Sequence, residues 1–333
     1  MTKNDLKIVF MGTPDFAVES LRALVEGGYR MAGVVTMPDK PAGRHGSTLQ
    51  PSPVKQYALS QHLPVLQPEK LKAESFVEEL RSMQADLQIV VAFRMLPEIV
   101  WDMPRFGTFN LHASLLPQYR GAAPVNWAII NGETETGVTT FFLTHGIDTG
   151  QIIRQEKMPV TPTDDAGTVH DALMKMGARL VTETVDLLIA SEGNIETVQQ
   201  ETLYVSSETL HPAPKLYMET CRIDWHQSAV HVYNFIRGLS PYPGAWTEIV
   251  NPSGETFSLK IFSSEKILDA PAGNQASRYC LPGAVHTDGK HYLEVAVSDG
   301  FIRIISLQLA GKKRMSIKDF LNGTKIDINW KVL

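Results

Sequence analysis

The amino-acid sequence predicts an α/β domain on a mostly parallel sheet, followed by a smaller β-rich domain. Three observations carry that prediction. Strand-like and helix-like runs alternate from the start of the chain; the pattern weakens over residues 192–214, where Pro212-Ala213-Pro214 stands; and beyond it short period-two runs are separated by Asn, Pro and Gly turns.

Taken in order, Leu-Lys-Ile-Val-Phe-Met at residues 6–11 is the short apolar run of a strand buried on both faces. Gly12-Thr13-Pro14 then turns into a helix, with Thr13 expected as its cap and Pro14 at its first position. Ala17, Leu21, Leu24 and Val25 share one helical face, and Gly27-Gly28 ends it. Strands over residues 31–36 and 86–93, the second preceded by a helical pattern at 74–83, extend a parallel sheet. Neither G-x-G-x-x-G nor G-x-x-x-x-G-K-[ST] is present, which excludes the usual dinucleotide and ATP fingerprints.

Residues 37–55 form a long loop rich in Pro and Gly, a length usually tied to function or disorder. Its Lys40, Arg44 and Lys55 suit phosphates, and ordinary solvated charges explain them equally well.

The run Asn110-Leu111-His112-Ala113-Ser114-Leu115-Leu116-Pro117 sits where a strand from Gly107 meets Pro117, Gly121 and Pro124. In α/β proteins the ends of strands carry the chemistry, and residues two apart face one side, so Asn110 and His112 address one space. One donates hydrogen bonds without titrating, and the other moves protons near neutral pH. A buried pair satisfied by backbone groups is the plainer reading of two such residues. A helix at 123–131 and a strand at 137–143 follow, then Thr144-His145-Gly146-Ile147-Asp148-Thr149-Gly150. Asp148 either meets the His112 ring, completing a polariser, a proton carrier and an orienting charge, or caps its own backbone in an Asx-turn. Val169, Leu173, Met176, Leu180, Thr184, Leu187 and Leu188 mark one face of a long closing helix.

The domain division is expected at 1–206 and 207–333, with the linker opening the second part. A helix at 228–237 and strands at 245–250, 257–262, 292–297 and 301–309 suggest a small barrel or sandwich. Lys312, Lys313 and Arg314 follow the last strand, positioned to meet a phosphate backbone or simply to solvate a loop.

At 333 residues, 43% hydrophobic and 20% charged, the chain is long enough for two cores, and no apolar run approaches a bilayer span, so a membrane role is not expected. Cys221 and Cys280 have no metal-ligand spacing, and a reducing cytoplasm is the default location. From Lys215 onward 14 Lys+Arg face 11 Asp+Glu, net +3, and the remaining 17 against 25 leave −8 in front. That asymmetry permits a polyanion partner for the second domain without requiring one.

Several stretches together resemble one family. Lys7-Ile8-Val9-Phe10-Met11-Gly12-Thr13-Pro14-Asp15-Phe16-Ala17, the loop from Pro41-Ala42-Gly43-Arg44 to Pro51-Ser52-Pro53-Val54-Lys55, the Asn110 to Pro117 element with Tyr119-Arg120-Gly121-Ala122-Ala123-Pro124, and Asp148-Thr149-Gly150 are similar to the bacterial, folate-dependent methionyl-tRNA formyltransferases. Arg222-Ile223-Asp224-Trp225, Ile236-Arg237 and Ala310-Gly311-Lys312-Lys313 extend the resemblance over almost the whole chain. Gly46-Ser47-Thr48-Leu49 departs from it, standing where the family more often has lysines.

The resemblance implies a doubly wound sheet, an OB-like second domain, and transfer of a formyl group from 10-formyltetrahydrofolate to the methionine amino group of initiator methionyl-tRNA. It implies Asn110, His112 and Asp148 as catalytic residues, Ser114, Leu115, Leu116 and Pro117 along the folate, and Arg44, Lys312, Lys313 and Arg314 on the tRNA. It further implies a monomer with no metal, no DNA and no membrane partner. The rivals are a glycinamide ribonucleotide formyltransferase, which would normally end near the linker, an aminosugar-nucleotide formyltransferase, and an inactive folate- or RNA-binding module, disfavoured because all three catalytic positions are filled.

Overall fold

The computed structural model describes residues 1–42, 48–203, 210–268 and 281–333. Arg44 and Cys280 lie outside the described residues. Two compact units are present: Met1–Pro124 with Glu135–Pro159 and His170–Pro212, and Val125–Thr134 with Val160–Val169 and Ala213–Leu333.

In the first unit the chain runs β1 (Ile8–Gly12), α1 (Asp15–Glu26), β2 (Met31–Val35), β3 (Lys40–Ala42), β4 (Thr48–Gln50), α2 (Pro53–Ser60), β5 (Val65–Leu66), α3 (Glu74–Ser82), β6 (Leu87–Val91), α4 (Glu98–Trp101) and β7 (Thr108–His112). The helix α5 (Pro124–Ile130) leads on to β8 (Glu135–Phe142), β9 (Ile152–Pro159) and the long helix α6 (Ala166–Ala190). The sheet order is β5-β2-β1-β6-β7-β8-β9; the first five strands are parallel, β8 runs antiparallel to β7, and β9 runs antiparallel to β8. Its central strands β1 and β6 are buried along their whole length, as their mainly apolar sequences require, with Gln88 of β6 a buried polar exception. Phe10, Phe109 and Phe141 are completely buried, each contributing about 1.5–3 kcal/mol through its burial.

The start of α1 differs from expectation. Pro14, extended at φ −80° and ψ 175°, occupies the cap position and offers no side-chain acceptor. The Thr13 hydroxyl is buried without a hydrogen-bond partner, so the first turn relies on the charge of Asp15 against the helix dipole. The long 37–55 loop contains more regular structure than its composition suggests. Strands β3 and β4 pair antiparallel, and Ser52 caps α2 by accepting from the Lys55 backbone N–H at 3.0 Å. Lys55 is not held free for phosphate: its Nζ lies 2.7 Å from Asp39 Oδ2, and Gln67 donates to Asp39 Oδ1 at 2.7 Å. These hydrogen bonds hold the Asp39 carboxyl below the usual carboxylate range.

The second unit contains α5, α7 (Ala229–Gly238), β10 (Ala245–Val250), β11 (Thr256–Ile267), β12 (Val285–Thr287), β13 (Leu293–Val297), β14 (Gly300–Leu309), β15 (Met315–Ser316), α8 (Ile317–Gly323) and β16 (Lys331–Val332). The strands run β12-β13-β14-β11-β10-β16, and a bridge between Ala284 and Lys331 joins the two ends, which nearly closes an antiparallel barrel. Ile236, Ile249, Leu259, Val295 and Ile304 lie in its core. Helix α5 belongs to this unit because Gly238 of α7 has no side chain: a Cβ there would lie 2.6 Å from Ile130 Cγ1, and Asn126 Nδ2 donates to the Gly238 carbonyl at 2.8 Å. Strand β11 runs past the predicted 257–262, through a bulge between Ile261 and Ser264, because backbone pairing to β14 continues under the polar residues Ser263 to Lys266.

Candidate active site

Strand β7 pairs with β6 on one side and β8 on the other, with Asn110 opposite Val90 and Phe141, and His112 opposite Thr139. Asn110 and His112 therefore face one side, as their spacing predicts. His112 is buried at 6% exposure, and the Phe141 ring meets its imidazole edge-on, centroids 6.4 Å apart. Asn110 is half-buried, and its carboxamide has no hydrogen-bond partner among the described residues.

A backbone contact fixes the tautomer of His112. Its Nε2 lies 2.8 Å from the Tyr119 carbonyl oxygen, which can only accept, so Nε2 carries a hydrogen. The proton that can come and go is then on Nδ1, and that nitrogen lies 3.9 Å from Asp148 Oδ2. Tyr119 reaches this position with a φ of +60°, and Asp148 sits at φ +53°, so both partners of the ring are on turns in the left-handed region. The Asp148 carboxylate does not cap its own turn: Oδ2 accepts from the Gly121 backbone N–H at 2.9 Å. One three-residue segment thus holds both ends of the pair, the ring through Tyr119 and the carboxylate through Gly121.

Gly150 closes the turn against the end of β8, where a Cβ would lie 1.6 Å from the Phe142 carbonyl oxygen. Gly150→Ala is therefore expected to destabilise the fold by about 1–3 kcal/mol and to displace Asp148. Denaturant unfolding checks this, and an unchanged midpoint would show that the close approach is slack.

The segment expected along the folate is itself tightly braced. Ser114 is completely buried, and its hydroxyl donates to the Gln118 carbonyl at 2.7 Å. Leu116, 2% exposed, packs with Phe141 and Ile152. Thr139 Oγ1 donates to Ser114 O at 2.7 Å and accepts from Leu116 N at 3.2 Å, while Gln155 donates to Leu116 O at 2.8 Å. Pro117 is buried and Leu115 half-buried, so what Ser114, Leu115, Leu116 and Pro117 build is a fixed wall whose polar groups are turned inward. Thr139, Gln155 and Gln200, which brace the site from other elements, carried no residue-type signal that sequence reading could have used.

Two family models match the chain: formyl transferase over residues 6–185 and formyl transferase, C-terminal domain, over residues 215–325. Over 98% of both chains, it is 66% identical to the methionyl-tRNA formyltransferase of Parabacteroides distasonis. The chain belongs to the methionyl-tRNA formyltransferase family. The family member from Bacteroides thetaiotaomicron is 60% identical over the full length of both chains. Among solved structures, HypX from Aquifex aeolicus in complex with tetrahydrofolic acid matches 97% of this chain and 48% of its own, with a TM-score of 0.60 at 18% identity. WlaRD, a sugar 3N-formyl transferase, matches 92% and 99% with a TM-score of 0.59 at 19% identity. At such identities these two likenesses speak for the fold alone.

In and before the Asp148 turn, this formyltransferase exposes three large apolar side chains. Met95, Ile99 and Ile147 are 72%, 53% and 62% exposed. His145 ties α4 to the turn, with Nε2 3.2 Å from Glu98 Oε2 and its ring edge-on to Trp101 at 5.4 Å between centroids. Lys312, Lys313 and Arg314 lie exposed in the second unit. Lys312 and Lys313 have no acidic partner among the described residues, whereas the Arg314 guanidinium rests 4.5 Å over the Phe262 ring and donates to Ser306 at 3.1 Å. Among the described residues, no group of three His, Cys, Asp or Glu side chains is placed to hold a metal ion, and no helix is long and apolar enough to cross a membrane.

Proposed function

We propose that this enzyme moves the formyl group of 10-formyltetrahydrofolate to the amino group of methionine on initiator methionyl-tRNA, with Asn110, His112 and Asp148 meeting the reacting atoms. The observation that carries the reading is the fixed His112 tautomer, which turns Nδ1 toward Asp148 beside the unengaged Asn110 carboxamide.

An α-amino group has a pKa of about 7.7–8.0, so a useful neutral fraction attacks without a strong base. As its nitrogen bonds to the formyl carbon, charge gathers on the formyl oxygen. Asn110 donates to that oxygen, and His112, protonated on Nδ1, adds a charge-assisted donor. Asp148, 3.9 Å from Nδ1, places a carboxylate beside the ring where it orients the imidazole and accepts a proton. When the carbonyl re-forms, the bond from carbon to the folate nitrogen breaks. Asp148 and His112 then pass the proton lost by the amine toward that leaving nitrogen. The exposed Met95, Ile99 and Ile147 suit the apolar faces of the folate rings, with the Ser114 to Pro117 wall at the formyl end.

On this reading residues 1–206 carry the chemistry and residues 207–333 the tRNA platform, and the enzyme works as a cytoplasmic monomer without DNA, membrane or metal. Arg44, Lys312, Lys313 and Arg314 meet tRNA phosphates. Replacing Lys312, Lys313 and Arg314 together with Ala should flatten the salt dependence of tRNA binding by about 0.7–0.9 log units per lost phosphate contact, for initiator and elongator tRNA alike. Superimposable salt series for variant and parent would remove these residues from the tRNA surface.

The proposed reaction is tested by offering labelled formyl donor with charged initiator tRNA in one assay and an aminosugar nucleotide in another. Formylation of the tRNA alone is expected. Turnover of the sugar nucleotide alone would overturn the reading; relatives at 60–66% identity, named methionyl-tRNA formyltransferases, speak against that outcome.

A further inference from the structure

Gln200 lies in a single 3-10 turn, Gln200–Thr202, within the weakly patterned stretch that leads out of the first unit. Its side chain is completely buried, and every hydrogen-bonding position of its amide is used. Oε1 accepts from Arg120 Nε at 3.0 Å and Nη2 at 2.6 Å, and Nε2 donates to the carbonyls of Asp148 at 2.9 Å and Gly150 at 2.7 Å. Arg120 is the residue between Tyr119, which holds the His112 ring, and Gly121, which holds the Asp148 carboxylate. A second contact from the same stretch braces that segment: the Tyr119 N–H donates to the His211 carbonyl at 2.7 Å.

The amide of Gln200 therefore joins the two turns that meet the imidazole and the carboxylate. It does so through the backbone carbonyls that flank Thr149, and so restrains the left-handed conformation of Asp148. A glutamate would keep the acceptor toward Arg120 but lose both donors. An aliphatic side chain of equal length would lose all four contacts. No substitution for this amide offers two donors and two acceptances in one plane at the same reach.

From this geometry we infer that Gln200 is a positioning residue, which sets Asp148 against His112 from outside the reacting atoms. The inference rests on the proposed role of Asp148. A positioning error of the order of an ångström costs up to about 10²-fold in rate without a corresponding loss of binding.

The test compares Gln200→Met and Gln200→Glu, each in the parent enzyme and in Asp148→Asn, with kcat, both KM values and the pH–rate profile measured on protein shown by thermal unfolding to be folded. Both single variants are expected to lose about 10–100-fold in kcat, with each KM within about twofold and the pH–rate profile displaced. In the Asp148→Asn background they are expected to cost little more, because the residue they act through is already lost. Should Gln200→Met not fold, Gln200→Glu, which keeps the Arg120 contact, decides alone. Full kcat in a folded single variant, or an equal loss in both backgrounds, would overturn the inference. Full activity of Asp148→Asn by itself would instead overturn the role of Asp148, so the two failures are distinguishable.

Discussion

Replacing His112 with Ala lowers kcat by at least about 10²–10³-fold while binding of the formyl donor changes little. On the proposed mechanism the loss is large because the donor removed is buried and serves an oxygen that becomes negative only in the transition state. It falls on kcat because the ground-state formyl oxygen draws little from the ring. The ring is held by the Tyr119 carbonyl on its other side, so its removal also frees a buried acceptor. Steady-state kinetics with equilibrium binding of the donor checks this. A folded variant with parental kcat would remove His112 from the chemistry.

The second large effect belongs to Asp148→Asn. The substitution keeps size and the oxygen that accepts from Gly121, so the turn should survive. A neutral amide neither favours the charged imidazole nor accepts a proton, and a loss comparable to that of His112→Ala follows. The pH–rate profile should change with it, because the carboxylate beside the ring is gone. A profile identical to the parent's would reduce Asp148 to a turn residue.

Much of this arrangement was legible in the residues. The parallel sheet followed from apolar runs such as residues 6–11, which have no solvent face to encode. The facing of Asn110 and His112 followed from strand periodicity, which survives wherever neighbours pair on both sides. What stayed hidden depends on contacts between distant segments. The sequence points to Thr13 as the cap of α1, whereas the extended Pro14, not the hydroxyl, fixes where the helix begins. The side-chain pattern of β11 ends at 262, while the strand runs on to Ile267, its second half held by backbone pairing under polar side chains. The 192–214 stretch read as a linker, yet Val198 bridges to Ile152 and Gln200 reaches Asp148, contacts that no local pattern announces. Helix α5 lies in the second unit because of the space left by Gly238, a fact invisible from residues 123–131.

In the proposed mechanism His112 and Asp148 are one device: the carboxylate matters through the ring 3.9 Å away. Single-turnover formylation of charged initiator tRNA by His112→Ala, Asp148→Asn and the double variant tests that directly, under saturating donor and with folding verified. If the pair acts as a unit, the double variant is no slower than the slower single variant by more than about threefold. Losses that multiply across the two sites would contradict the account, because each residue would then be acting on the reaction independently.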